Sequence, residues 1–180
     1  MSEADDSAAI ERCLRGDPGA FTQLVERYER PVYNVALRML RNPADARDVT
    51  QTVFLKAFEG LSRYDPGYRF YSWIYRIAIN ESVDVLRARR RHGGAVDEQT
   101  AADEPGPEAI LAESAESRAL LDVLHELKPE YRAVIVLKYF AGRSYDEIGT
   151  ILEMETKTVK SRLFTARQLL KDALAARGAL

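Results

Sequence analysis

The residues best suited to chemistry lie between Phe70 and Arg91, in the stretch FYSWIYRIAINESVDVLRARRR. At about 100° per residue, Phe70, Ile74, Ala78, Ile79, Val85 and Leu86 share one apolar face, and Trp73, Arg76, Asn80, Asp84, Arg87 and Arg91 fall on the opposite one. The chain's one Trp therefore stands among arginines and an Asn. Guanidinium groups neutralise phosphates, an indole offers a stacking surface, and an Asn amide both donates and accepts. A nucleic-acid surface fits this pattern; an amphipathic helix with a solvated basic face fits it equally well. Residues Ser62 to Arg69, SRYDPGYR, read as the preceding loop. Pro presets one dihedral of the Asp-Pro-Gly turn and Gly frees the next. Tyr64 and Tyr68 flank that turn, with Arg63 and Arg69 outside them. Such rings either tuck under the core or stack on exposed bases.

A second constellation lies near the C-terminus. Ser144-Tyr-Asp-Glu147 is a capping box opening a short helix whose inner face is Ile148, Ile151 and Leu152. Glu153-Met154-Glu155 makes a tight connection, and Thr156 is expected to cap the last helix, which runs to about Arg177. Val159, Leu163, Ala166, Leu170 and Ala173 face inward on it; Lys157, Lys160, Ser161, Phe164, Gln168 and Lys171 face outward. This is the pattern of a helix-turn-helix, whose second helix enters the major groove N-terminus first. Lys157 and Lys160 suit phosphates, Ser161, Arg162 and Thr165 suit groove edges, and Phe164 suits thymine methyls. A plain helical hairpin with a solvated basic face is the alternative.

The elements that carry these residues are all expected to be helical. The chain has 180 residues, 46% hydrophobic and 30% charged, with a formal net charge of -2. That length allows one ordinary domain or two small ones. Ser2 to Ser7 read as a frayed acidic tail and Ala8 to Arg15 as a short helix stopped by Gly16. Asp17-Pro18 opens a helix reaching about Arg41, which Pro31 either kinks or splits. Asn42-Pro43 opens the next, with Ala46, Val49, Val53, Phe54, Ala57 and Leu61 on one side and Asp45, Asp48, Gln51, Thr52 and Lys56 projecting from the others. Gly93 to Pro107 is rich in Gly, Ala, Pro and acid and reads as a flexible linker. The first domain then spans 8–92 and the second 108–177. In the second, Ile110, Leu111, Leu120, Leu121, Val123, Leu124 and Leu127 suggest one helix and Lys128-Pro129 opens another through Phe140. YRAVIVLKYF has strand-like composition, but Pro129 and the helical neighbours favour helix.

Charge is segregated. Seven arginines (63, 69, 76, 87, 89, 90, 91) lie between Arg63 and Arg91, whereas Asp97 to Glu116 holds seven acids and no base. Two DNA-contacting modules on a tether can engage two separated elements at once. The single Cys13 excludes an intramolecular disulfide, and with only His92 and His125 besides, no Cys/His metal site is expected. No phosphate-cradling Gly-rich loop, hydrolase constellation, cofactor site, small-molecule substrate or membrane span is visible. The acidic N-terminus is not a signal peptide, so a cytoplasmic protein is expected.

With these residues in view, the sequence resembles the extracytoplasmic-function (ECF) group of bacterial RNA polymerase sigma factors. In the first domain the resemblance is carried by Asp45-Ala-Arg-Asp-Val-Thr-Gln-Thr-Val-Phe54, by Phe70-x-x-Trp73-Ile-x-Arg76-Ile-Ala-x-Asn80, and by Asp84-x-x-Arg87 with the arginines after it. In the second it is carried by Leu127-x-Pro129, Ser144-Tyr-Asp-Glu-Ile148, and Thr158-Val-Lys-Ser-Arg-Leu163 with Ala166-Arg167. The resemblance implies an all-α protein of two small domains, a region 2-like bundle and a region 4-like helix-turn-helix. It implies that Asp45, Asp48, Gln51, Thr52, Phe54 and Lys56 dock on the β′ clamp helices of core RNA polymerase. Arg63, Tyr64, Tyr68, Arg69, Phe70, Trp73, Arg76, Asn80, Asp84, Arg87, Arg90 and Arg91 would hold the −10 promoter element as single strand, with a base flipped into a pocket beside the loop. Thr156, Lys157, Thr158, Lys160, Ser161, Arg162, Phe164, Thr165 and Arg167 would read the −35 element as duplex. The β flap and an anti-sigma factor are the further partners implied, and the acidic linker would thread toward the RNA exit path. The chain departs from the family where Glu153 replaces the usual turn Gly, where Glu155 and Lys157 replace small residues or Pro, and where Thr165 replaces a basic residue. A stand-alone DNA-binding regulator and an all-α interaction protein remain as alternatives.

Overall fold

The computed structural model describes residues 3–91 and 115–178, and every regular element among them is helical. The linker expected at 93–107, the domain start at Glu108, Ile110, Leu111 and His92 lie outside the described residues. The N-terminal half is built from α1 (Glu3–Leu14), α2 (Phe21–Leu40), α3 (Pro43–Gly60) and α4 (Phe70–Arg91). The C-terminal half is built from α5 (Ala115–Glu126), α6 (Pro129–Ile135), α7 (Tyr145–Leu152) and α8 (Thr156–Ala176).

Helix boundaries follow local chemistry. The Asn42 side chain accepts from the Asp45 backbone N–H at 3.0 Å, with Pro43 in the first helical position, so α3 starts where expected. Ser144 and Glu147 form the full capping box of α7. The α6 helix continues into one π turn over Val136–Phe140, so the β-branched run is helix and not strand. Pro31 lies inside an unbroken α2, which ends at Leu40 with Arg41 in the left-handed region (φ 59°).

Two expectations are corrected. The acidic N-terminus is not a frayed tail: α1 begins at Glu3, because Asp6 is buried and takes bonds from Arg27 and from the Tyr28 hydroxyl (2.6 Å) on α2. Thr156 does not cap α8. Glu155 is the cap position without a side-chain bond, and the Thr156 hydroxyl instead donates to the Asp146 carboxylate at 2.6 Å, tying α8 to α7.

In the N-terminal half α2, α3 and α4 pack pairwise around Leu24, Val32, Val35, Met39, Val53 and Ile74, all at most 2% exposed. In the C-terminal half Leu124, Leu137, Ile148, Ile151 and Leu163 form the centre. Full burial of each such side chain contributes roughly 1.5–3 kcal/mol. The two halves also touch. The α4 helix packs on α7, and α2 packs on α5, α6 and the π turn. Arg132 of α6, 5% exposed, donates to the backbone carbonyls of Leu124 (3.2 Å), Leu127 (3.1 Å) and His125, and across the boundary to that of Met39. Arg41 pairs with Asp122, and the Arg38 guanidinium lies 4.7 Å from the Phe140 ring centre.

Candidate nucleic-acid interface

The end of α3, the following loop and the first turns of α4 converge on one cleft. Phe70 is buried, and Tyr64, Phe70 and Trp73 form an aromatic cluster with ring centres 5.2 to 5.9 Å apart. Trp73 reaches across to Gly60, where a Cβ would come within 3.3 Å of its ring edge. The missing side chain is what lets the indole lie against α3. In the loop, Asp65 accepts from the Gly67 N–H at 2.8 Å, and the Tyr64 hydroxyl donates to the Tyr68 carbonyl. The two loop tyrosines thus separate: Tyr64 is tucked into the cluster and Tyr68 is 53% exposed.

Trp73, Ile77 and Asn80 of α4 and Lys56, Gly60 and Arg63 from the end of α3 and the turn after it enclose a cleft of about 370 Å³. That volume suits a small planar ligand. Glu59 and Glu81 complete the wall, and the Lys56 ammonium meets Glu81 at 2.5 Å. The structure thereby brings Lys56, expected on the polymerase-docking face, to this cleft. Glu59, Gly60 and Glu81 are cleft residues that the sequence reading missed; a Gly ending a helix opposite an aromatic was the available signal. Farther along α4, Arg87 pairs with Asp84 at 3.3 Å, and Arg90 and Arg91 are exposed. Arg69 and Arg63 are exposed on the loop. Arg76 is drawn away from the cleft toward α7: it donates to the Thr150 carbonyl (2.7 Å), the Ile151 carbonyl (3.3 Å) and the Glu153 carboxylate (2.8 Å).

Beside it, the Tyr71 hydroxyl donates to Glu147, and Arg143 sits 4.5 Å from the Tyr71 ring centre. Burial alone raises the Glu147 carboxyl, but the bonds from Tyr71 and Ser144 outweigh it and hold the pKa below the usual value. Burial first, then the Glu147 bond, pushes the Tyr71 hydroxyl up.

On α3, Asp48 and Gln51 are exposed one turn apart, and Thr52 is half-buried with its hydroxyl on the Asp48 carbonyl (2.9 Å). Asp45 pairs with Arg89 of α4. Phe54 faces the core edge-on to Phe21, so its ring supports this surface from beneath.

The helix-turn-helix is compact because Gly149 lets the chain return: a Cβ there would lie 2.8 Å from the Met154 carbonyl oxygen. Glu153 makes the turn in the left-handed region (φ 53°), where Gly is ordinarily favoured. On α8, Lys157, Thr158, Lys160, Ser161, Phe164 (59%) and Arg167 are exposed, and Arg162 and Thr165 are half-buried. The Thr165 hydroxyl is turned back onto the Ser161 carbonyl (3.2 Å). Behind α8, Leu120, Leu124, Ile135, Tyr139, Leu170 and Leu174 line an apolar groove of about 430 Å³, rimmed by Arg167 and Lys171. Among the described residues no cluster of His, Cys, Asp or Glu suits a metal ion, and no helix is long and apolar enough to cross a membrane.

The chain matches the family model "Sigma-70 region 2" over residues 24–92 and "Sigma-70, region 4" over residues 117–170. It is 31% identical to the RNA polymerase sigma-H factor of Pseudomonas aeruginosa, over 97% of this chain and 96% of that protein. It is 32% identical to the ECF RNA polymerase sigma factor SigW of Bacillus subtilis, over 92% and 94% of the two. Among solved structures, CnrH in complex with the cytosolic domain of CnrY superposes with a TM-score of 0.74 at 28% identity, covering 96% of this chain and 98% of that one. The sigma factor RpoE in complex with the anti-sigma factor NepR from Bartonella quintana shares the fold, with a TM-score of 0.70 at 23% identity over 86% and 96%. With region 2 carrying the cleft and region 4 the helix-turn-helix, the chain belongs to the ECF RNA polymerase sigma factors.

Proposed function

We propose that this chain binds core RNA polymerase and directs promoter-specific initiation, reading the −35 element as duplex with α8 and the −10 element as melted single strand with α4 and the loop before it. The observation that carries the reading is the cleft between α3 and α4, in which an indole, an amide and two cations stand together at the edge of an arginine-rich surface. Melting then proceeds by capture. Arg63, Arg69, Arg87, Arg90 and Arg91 draw in phosphates. Extruding a base costs a few kcal/mol, and one base stacked on an aromatic side chain returns roughly 1–3 kcal/mol. Trp73 supplies that surface and Asn80 the polar contact; Tyr68, exposed on the loop, offers a second ring. Phe70 and Tyr64 act from behind by fixing the indole.

The exposed Asp48–Gln51 face of α3 is the proposed dock for the β′ clamp helices, and the apolar groove behind α8 is the proposed dock for the β flap. The acidic stretch 93–107 serves as the tether between two domains spanning 8–92 and 108–177. Control by an anti-sigma factor is inferred from the RpoE–NepR complex, and a cytoplasmic site of action follows from these partners. On a promoter fragment with core enzyme, thymines of the −10 element should become reactive to permanganate only when this protein is present. Asn80→Ala should diminish that reactivity without loss of core binding. Reactivity independent of this protein would refute the reading.

A further inference from the structure

Asp6 is a buried carboxylate that neither DNA-reading surface uses. With Ala9, Ile10 and Cys13 it lies on the inner face of α1, at three- and four-residue spacing. Ala9 and Ile10 are buried and already pack α1 onto the bundle. A buried ion pair adds little stability over apolar residues of the same size, so packing alone does not explain a carboxylate here. Its partners do. Arg27 pairs with it, and the Tyr28 hydroxyl donates to its second oxygen at 2.6 Å. Burial first, then that bond, pushes the Tyr28 hydroxyl pKa up, so the group stays protonated and keeps donating. The Tyr28 ring begins a contiguous series. Its centre lies 5.4 Å from that of Phe70, which in turn lies 5.8 Å from Trp73 and 5.9 Å from Tyr64. Interiors are close-packed, so a displaced Tyr28 ring displaces Phe70 and, through it, the indole. The α1 helix also packs on α4 and on the turn Leu61–Arg63, which brings Arg63 to the same cleft.

We propose that Asp6 and Tyr28 are positioning residues for promoter opening: through Tyr28 and Phe70, α1 sets the angle at which Trp73 faces a captured base. This rests on the reading of the Trp73 cleft as the −10 surface. Both residues act through other side chains. The Tyr28 hydroxyl fixes the place of its ring in the series, and the Asp6 carboxylate fixes the hydroxyl. A stacking contact depends on ring overlap, so an indole free to tilt loses part of the energy that holds an extruded base. The α1 helix thereby belongs to the −10 apparatus, although it stands behind the cleft and lines none of it.

Trp73 is the chain's single Trp, so its fluorescence reports on the indole directly. Full-length Asp6→Ala, Asp6→Asn, Tyr28→Phe and Val35→Ala are compared with wild type. Val35 is buried in α2, so truncating it removes volume from the same bundle but no member of the ring series. Two readouts are taken: Trp73 emission with acrylamide quenching, and permanganate reactivity of −10 thymines with saturating core enzyme. Asp6→Ala and Tyr28→Phe should shift the emission to the red and make the indole easier to quench. Both should reduce thymine reactivity about three- to tenfold, part of the worth of one stacked base, with core affinity unchanged. Asp6→Asn keeps an oxygen that accepts from Tyr28 and should stay close to wild type in both readouts. Val35→Ala should leave the emission unchanged. Unchanged emission in both Asp6→Ala and Tyr28→Phe, or an equal shift in Val35→Ala, would overturn the positioning role even if Trp73→Ala abolishes promoter opening. Shifted emission with undiminished opening would overturn it too. If Trp73→Ala leaves opening intact, the −10 reading itself falls, and the positioning role with it.

Discussion

Arg132 offers the sharpest test of how the C-terminal half is held. Its guanidinium is 5% exposed and donates to four carbonyls, three at the α5–α6 junction and one, Met39, on α2. Burial and the neighbouring Arg90 lower its pKa to about 10, so it stays charged at neutral pH. Arg132→Met preserves much of the apolar stem and removes all four donors. A hydrogen bond to a charged group contributes about 1.5–3 kcal/mol, but the carbonyls at the end of α5 are near enough to the surface for water to replace part of it. The balance is a loss of about 3 kcal/mol, at the lower edge of what breaking a buried charged network costs. For a unit of this size about 1 kcal/mol corresponds to roughly 4–8 °C, so the melting temperature should fall by more than about 10 °C. The assay is urea and thermal unfolding by circular dichroism at 222 nm. Arg132→Lys should recover only part of the loss, because an ammonium cannot fork to four carbonyls in one plane. A loss below about 1 kcal/mol for Arg132→Met would show that water satisfies these carbonyls without the guanidinium, and the reasoning would be wrong.

Gly149→Ala should cost about 1–2 kcal/mol in the same assay, because a Cβ 2.8 Å from the Met154 carbonyl forces the turn apart by more than the roughly 1 kcal/mol of helix propensity gained. The variant should bind −35 duplex more weakly; unchanged stability would contradict it. Burial holds the His125 pKa down to about 4, with Nδ1 donating to the Leu121 carbonyl at 2.6 Å. Above its ordinary value near 6.5 the group is neutral in both states. As pH falls from there to about 4 the unfolded chain takes up the proton first, so stability declines by at most about 3 kcal/mol. In His125→Gln, urea midpoints over that window should vary less with pH, and an undiminished slope would contradict the assignment. Lys160→Ala should lower duplex affinity for all sequences alike and reduce the salt slope by about 1; a loss confined to one sequence would mean base reading instead.

Local signals made most of the fold legible. Asn42-Pro43 and Ser144–Glu147 fixed two helix starts because their capping bonds form within three residues. The inward and outward faces of α8 were legible because periodicity reports burial directly. Failures came where a side chain chose a distant partner. The acids at the start of α1 look like solvated residues until Arg27 and Tyr28 are seen to bind Asp6 from 21 and 22 residues away. Thr156 has the composition of a cap, yet Asp146 takes its hydroxyl. Periodicity put Phe54 and Phe70 on the apolar sides of their helices, and both rings are buried there, although the family motifs also assign them to contact surfaces. Arg76 was placed on the correct exposed face of its helix, and periodicity could not show that α7 covers it. The bond from Tyr71 to Glu147 spans 76 residues, beyond any pattern in a single helix. Lys56 belongs with Trp73 and Asn80 for the same reason: α3 and α4 meet only in three dimensions.

The central claim is that the two faces act together on core polymerase, and one measurement tests it most directly. Core enzyme is combined with this protein on a library of genomic fragments, and transcripts are compared for wild type, Trp73→Ala and Lys160→Ala. Wild type should give transcripts from discrete start sites. Trp73→Ala should retain core binding and promoter recruitment while losing opening, and Lys160→Ala should lose recruitment at low protein concentration and regain activity at high concentration. No promoter-specific transcript from core enzyme with the wild-type protein would contradict the account.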